Sequence, residues 1–340
     1  MPSSTEEQKK KIIAVFGATG AQGGAVLRAL LATSDYSVRA VTRNPNSEKA
    51  KALAELDGVE MVQADANDLE QVTQALEAAY GAFFVTNPFD PTSCATPDME
   101  CHQAKNFATA AETVGLKHAI WSTTENPLDD IGDDSDIIPS LTHPTSDGGT
   151  KDYKVPHFEN KAIGDQYFEK VSIPTTYVLP GFFYDNFFSY FPIDRDAKTG
   201  SLGFCIPTGD AAIPMVSSND IGKFVCAIFQ AGPFAHASQK LGIAAEHLTM
   251  DEVAKVLSTV LDEPVKNNPY VTAEMLATFG FPGCQEISNM FLYERDYSEQ
   301  YRSKRSVEAT KKVCGDLTTF AKYAEENKER FVPPVTEVVG

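Results

Sequence analysis

Ile12-Ile13-Ala14-Val15-Phe16-Gly17-Ala18-Thr19-Gly20-Ala21-Gln22-Gly23-Gly24 sets an unbroken apolar run directly ahead of glycine at every third position. The run, bounded by charge before and glycine after, predicts a buried strand over 12–16. Behind it Val26, Leu27, Leu30 and Leu31 recur at helical spacing, which predicts a helix over 21–32. A glycine-rich turn between strand and helix lets the chain reverse tightly and brings backbone N–H groups up to a pyrophosphate. The helix N-terminus adds unpaired N–H donors and the positive end of its dipole. The spacing is G-x-x-G-x-x-G rather than G-x-G-x-x-G, so its weight comes from its place between a strand and a helix.

The alternation continues outward from this turn. Residues 38–42, 59–63, 82–86 and 117–122 read as strands, and 47–56, 69–79 and 99–114 as helices. Such alternation predicts an α/β fold, a Rossmann-type doubly wound parallel sheet with helices on both faces. At about 150 residues per domain, 340 residues leave room for a second unit. Residues 1–190 are expected to form the Rossmann part. Residues 191–340 are expected to form a smaller mixed α/β C-terminal domain, the other wall of the cleft, with some return to the sheet. There Thr249-Met250-Asp251-Glu252 is a capping box, and 285–296 and 317–331 read as helices.

Composition excludes several classes. With 42% hydrophobic and 22% charged residues, the chain is neither disordered nor fibrous. A net charge of −18 disfavours direct nucleic-acid or membrane-surface binding. The cysteines Cys94, Cys101, Cys205, Cys226, Cys284 and Cys314 include no C-x-x-C pair, so neither a metal site nor a disulfide framework is expected. A polar start and the absence of a long apolar stretch predict a cytoplasmic protein without signal peptide or membrane span.

Ligands of such sheets lie at the carboxyl ends of the strands. An NAD site places an acid about 20 residues after the glycines; here that count reaches Arg43, in Thr42-Arg43-Asn44-Pro45. A guanidinium there can grip a 2′-phosphate with paired hydrogen bonds, which favours NADP(H) over NAD(H). As a bland alternative, Arg43 is a solvated loop residue. Asp65-Ala66-Asn67 ends the third strand and Thr86-Asn87-Pro88 the fourth. Both read equally as cofactor contacts or as turn formers.

These stretches, with His157-Phe158-Glu159-Asn160-Lys161, Leu179-Pro180-Gly181-Phe182 and Phe279-Gly280-Phe281-Pro282-Gly283, resemble the NmrA-like group of atypical short-chain dehydrogenases/reductases. The later ones resemble its HSCARG-type redox-sensor branch. The resemblance implies an NADP(H)-binding protein that reads cofactor level and passes it on through regulatory protein partners, in the cytoplasm and the nucleus, with a homodimer as one form. It also places cofactor contacts at Gly17, Ala18, Thr19, Gly20, Ala21, Gln22, Gly23, Arg43, Asp65, Ala66, Thr86, Asn87, Lys105 and Lys161. Pro180, Gly181, Phe182, Phe183 and Tyr184 would flank the nicotinamide.

A reductase of this superfamily carries Tyr-x-x-x-Lys on one helix and a Ser on the preceding strand; the lysine lowers the tyrosine pKa and the phenol protonates the carbonyl. Here Lys161 and Ser122 are present, but the tyrosine position is His157. Either His157 acts as the acid, or it only orients the helix. Tyr184, in a segment read as a lid, is the other acid considered. The missing tyrosine favours a sensor over the alternative, a reductase of small carbonyl or quinone compounds. The acidic insert 124–156, with Asp129, Asp130, Asp133, Asp134 and Asp136, reads as a surface loop or partner-specific insert. The proline-rich 87–97 stretch and this insert are expected to order when cofactor binds. The aromatic 177–192 segment reads as core with a few rings roofing a pocket.

Overall fold

The computed structural model describes residues 10–90, 95–132, 137–196, 199–268 and 270–331; Cys94, Asp133, Asp134 and Asp136 lie outside the described residues. The chain runs β1 (Lys11–Phe16), α1 (Ala21–Leu31), β2 (Tyr36–Thr42), α2 (Glu48–Ala54), β3 (Val59–Gln63), α3 (Leu69–Leu76), β4 (Gly81–Phe84), α4 (Met99–Val114) and β5 (His118–Ser122). Next come α5 (Leu128–Ile131), β6 (Leu141–Pro144), β7 (Thr150–Tyr153), α6 (Pro156–Glu169), β8 (Thr175–Pro180) and β9 (Phe182–Phe183). Then follow β10 (Asp194–Arg195), β11 (Leu202–Phe204), β12 (Ile213–Val216), α7 (Ser218–Ala231), β13 (Lys240–Ile243), β14 (Glu246–Leu248), α8 (Met250–Leu261) and β15 (Val265–Asn267). The chain closes with α9 (Ala273–Leu276), α10 (Cys284–Asp296), α11 (Ser298–Ser303), α12 (Val307–Cys314), α13 (Phe320–Glu326) and α14 (Lys328–Phe331).

Seven strands form one sheet in the order β3-β2-β1-β4-β5-β8-β13, every pair parallel. This is the doubly wound sheet that the alternation predicts. Strand order reverses between β1 and β4, which puts the ligand crevice at their carboxyl ends. Because side chains alternate along a strand, β1 sends Ile13 and Val15 to one face and Ala14 and Phe16 to the other. The first face packs on Val26 and Leu30 of α1 and Phe224 and Ile228 of α7. The second packs on Val72 of α3, Phe107 of α4 and Phe168 of α6. β13, from the C-terminal half, pairs with β8 at the edge of this sheet.

Two expectations are corrected. The insert 124–156 is not loop throughout: β6 and β7 pair as an antiparallel hairpin, turned at Asp147-Gly148-Gly149, and Asp130 pairs with Lys304. The helix expected over 317–331 is two helices, because Thr319 caps α13 and the chain breaks at Asn327 before α14.

The C-terminal half is fastened to the sheet by a buried charge cluster. Arg305, fully buried, makes two hydrogen bonds to Glu125 (2.8 and 2.6 Å) and donates to the Pro180 carbonyl (3.0 Å). It thereby joins the chain just beyond β5 to the end of β8. The 304–305 backbone lies so close to β13 that a Cβ on Gly242 would sit 1.8 Å from the Lys304 carbonyl oxygen. Burying charge is costly unless it is paired and hydrogen-bonded, as Arg305 is. Glu294 shares the cluster; burial lifts its carboxyl to about 8, against the pull of Arg305 and Tyr301.

Two outcomes follow from this cluster. Gly242→Ala should lower stability by about 1–3 kcal/mol or more, since the added carbon meets backbone rather than a side chain that can turn away. An unchanged denaturant midpoint would contradict the contact. Between the ordinary carboxylate range and about 8, folded Glu294 holds a proton that the unfolded chain releases. Its contribution to stability is therefore complete at low pH and is lost as pH rises through that window. Glu294→Gln should flatten that stretch of the stability–pH curve; an identical slope in both proteins would show that Glu294 does not titrate there.

Candidate functional site

The turn after β1 has the shape a pyrophosphate needs. Gly17 adopts φ +65°, the left-handed region, and its carbonyl accepts from the Gly20 N–H (2.9 Å). A Cβ on Gly23 would lie 2.3 Å from that same carbonyl oxygen, so only glycine lets α1 pack this close to β1. Helix α1 starts after Gly20 with no side-chain cap and no acid in its first turn, whereas Ser47, Asp68, Ser217 and Thr249 cap α2, α3, α7 and α8. Its first N–H groups and dipole thus face the crevice without a protein anion. Ala18 is buried, and Gln22 Oε1 accepts a hydrogen bond from Ser122 Oγ (2.8 Å). Ser122 therefore braces the glycine loop from the end of β5, two strands away from β1.

At the next strand end, Arg43 is exposed and forms an ion pair with Asp90. Its carbonyl accepts from Gln63 Nε2 (3.1 Å). Asp65 Oδ1 accepts from the Asn67 N–H (2.9 Å), and Asn106 Nδ2 donates to the Ala66 carbonyl (2.9 Å). Asn87 is exposed, with Oδ1 accepting from the Phe89 N–H (3.2 Å). Asp65 and Asn87 therefore hold the turns at their own strand ends. Asn87 and Asp90 thus tie the 87–90 turn to itself and to Arg43.

Lys161 and Thr86 come together, with a partner that sequence reasoning missed. Lys161 Nζ donates to Thr86 Oγ1 (2.7 Å) and lies 2.9 Å from Glu100 Oε1, whose carboxylate is almost fully buried. Thr86 Oγ1 donates to the same Glu100 oxygen (2.5 Å). Lys161 Nζ also sits 5.6 Å from the centre of the Trp121 ring. Lys105, five residues beyond Glu100 on α4, is exposed and takes no part in this cluster. An acid in the first turn of a helix reads as an ordinary dipole partner, so nothing in the sequence marked Glu100.

His157, one turn before Lys161 on α6, is held from across the cleft. Glu286 Oε1, on α10, accepts from its Nδ1 (2.6 Å) and from its backbone N–H (3.2 Å). Burial works to raise the Glu286 carboxyl, but the hydrogen bonds and charge of His157, with His143, outweigh it and lower the pKa. An ionised carboxylate only accepts, so Nδ1 carries the proton. Nε2 is then the acceptor of the neutral ring and donates only from the imidazolium. The Phe89 ring stands 5.1 Å from His157, and Tyr190 6.2 Å from Phe89. The pairing of His157 with Glu286 spans 129 residues and left no sequence signal.

The segment after β8 departs from the lid expected of it. Pro180 offers its carbonyl to Arg305, Gly181 donates to the Ile243 carbonyl (2.9 Å), and Phe182 and Phe183 pair with β12 as β9. Tyr184 is sealed in the core, its hydroxyl donating to Glu246 (3.2 Å) and its ring against Phe320 and Tyr323. Burial pushes its phenol well above the ordinary range. The structure therefore does not bring Tyr184 to Lys161.

Comparison with known proteins agrees with this architecture. The NmrA-like family model matches residues 9–324. An NmrA-like family domain-containing oxidoreductase, hkm9, of Aspergillus hancockii is 28% identical over 306 residues, covering 86% of this chain and 83% of the relative. The crystal structure of NmrA, a negative transcriptional regulator, in complex with NADP superposes with a TM-score of 0.73 at 20% identity, covering 94% of this chain and 95% of that one. The triphenylmethane reductase of Citrobacter sp., complexed with NADP(H), gives 0.67 at 21% identity, covering 92% of this chain and 99% of that one. No helix among the described residues is long and apolar enough to cross a membrane. The match over nearly the whole length, on a parallel sheet with a glycine-lined switch point, makes this chain a member of the NmrA-like family.

Proposed function

We propose that the chain binds NADP(H) across the carboxyl ends of β1, β2 and β4 and reports cofactor level through protein contacts, as the HSCARG-type resemblance implies. The observation that carries this reading is the His157–Glu286 pair. Where a short-chain reductase keeps a tyrosine hydroxyl, this chain has a joint between the cofactor helix α6 and the C-terminal helix α10. The pyrophosphate lies on the 17–23 loop, the 2′-phosphate at Arg43, and the nicotinamide ribose near Lys161. When bound, the dinucleotide supplies hydride chemistry. Lys161, neutralised by Glu100, orients the ribose, and α6 carries occupancy to α10. The partners are proteins, a second copy of the chain among them; the net charge of −18 argues against nucleic acid. The setting is the cytoplasm and the nucleus.

A second reading is an NADPH-dependent reductase of small carbonyl or quinone compounds. Glu286 fixes the ring through Nδ1, so Nε2, beside Phe89, is the ring atom placed to exchange a proton with a substrate. Oxidoreductase-named relatives such as hkm9 lend it support.

NADPH consumption against a carbonyl and quinone panel separates the two. A reporter binds NADPH saturably without turnover above background. Turnover abolished by both Lys161→Ala and His157→Ala would establish the reductase. For the cofactor assignment, Arg43→Ala should weaken NADP(H) about tenfold or more and leave NAD(H) nearly unchanged, as loss of one charged hydrogen-bond contact requires. Equal losses for both would remove Arg43 from the 2′-phosphate.

A further inference from the structure

Four residues beyond β4 span the cleft from one end to the other. Asn87 starts the span: its Oδ1 holds the Phe89 N–H and its carbonyl accepts from the Asp90 N–H (3.3 Å). Within this turn, adjacent side chains reach opposite ends of the crevice. Phe89 stands against His157 at 5.1 Å, and Asp90 pairs with Arg43. Asp90 is the better covered of the ion pair, with 20% of its side chain exposed against 41% for Arg43.

We infer that Asp90 is a built-in competitor for the 2′-phosphate at Arg43, and that it sets how strongly the chain prefers NADP(H) over NAD(H). The inference rests on the cofactor placement proposed above. A 2′-phosphate and the Asp90 carboxylate are both anions seeking one guanidinium, so they repel each other wherever both approach it. A 2′-phosphorylated nucleotide binds only the fraction of molecules in which Arg43 has let Asp90 go, and its affinity is reduced by that fraction. NAD(H), with a neutral 2′-hydroxyl, has no need to displace Asp90; the carboxylate can accept a hydrogen bond from that hydroxyl instead. Because Phe89 is the next residue in the same turn, breaking the Arg43–Asp90 pair also frees the ring that lies on His157. Charge at the adenosine end thereby reaches the nicotinamide end through the 87–90 turn.

Calorimetric titration of the full chain with NADP+ and NAD+ tests the first half. Asp90→Asn should tighten NADP+ about tenfold and leave NAD+ unchanged or weaker, while Asp90→Glu restores the wild-type ratio. A merely structural role would move both dinucleotides together, and that result, or no change in either, would overturn the inference. The second half is read by amide hydrogen exchange over 86–90 with adenosine 2′,5′-bisphosphate, which lacks the nicotinamide half and cannot itself cover His157. Exchange there should speed up in the wild type, remain slow with adenosine 5′-monophosphate, and already be fast in Asp90→Asn. Equal protection by both nucleotides would contradict the release. Wild-type chain that binds neither dinucleotide would fail the cofactor reading itself; NADP+ affinity indifferent to Asp90→Asn would fail only the role of Asp90.

Discussion

Helix α1 begins where it does because Gly23 rests against the carbonyl of Gly17, a contact no other residue allows. That approach aims the first N–H groups of α1 into the crevice beside β4. With Ser122 bracing Gln22 from β5, three adjacent strand ends are held in one constellation. Everything else in the site is arranged around this fixed point. Arg43 lies toward the β2 side of it, and Thr86 with Lys161 on the other. A site built on strand ends is positioned by the sheet rather than by its loops.

Acid partners accompany the basic groups around the cleft. Lys161 has Glu100, Arg43 has Asp90, and Arg305 below the strand ends has Glu125. Burial explains the second and last-named roles differently. Arg305 and Glu125 are sealed from water, and losing one partner would strand a charge, so their pair fastens the C-terminal half permanently. Arg43 and Asp90 are partly solvated, where such pairs are weak and easily exchanged. Lys161 and Glu100 lie between these limits, the lysine 12% exposed and the carboxylate 1%, so the pair holds the lysine in place at the strand end.

How much of this was legible follows from how local each signal is. Residues 59–63 and 99–114 come out with the bounds their hydrophobic periodicity predicts. The glycine loop was legible for the same reason: strand, turn and helix are contiguous. The β6–β7 hairpin was missed although Asp147-Gly148-Gly149 is a turn signal, because its short, half-exposed strands carry little alternation. Tyr184 was misplaced because an aromatic run does not say which rings turn inward; pairing of β9 with β12 decides that. Glu100, Glu286 and Asp90 were invisible, since each becomes meaningful only through a partner more than forty residues away. Long-range pairing of charges is where single-sequence reasoning stops.

The sole tryptophan gives the most direct test of the account. Trp121 is fully buried at the end of β5, stacked on Phe168, with Lys161 Nζ 5.6 Å from its ring. Reduced nicotinamide absorbs where tryptophan emits, so NADPH seated with its ribose near Lys161 must quench this emission by energy transfer. The account predicts saturable quenching by NADPH, much weaker quenching by NADP+, and competition between the two for one site. Trp121 emission that stays unchanged up to millimolar NADPH would contradict it.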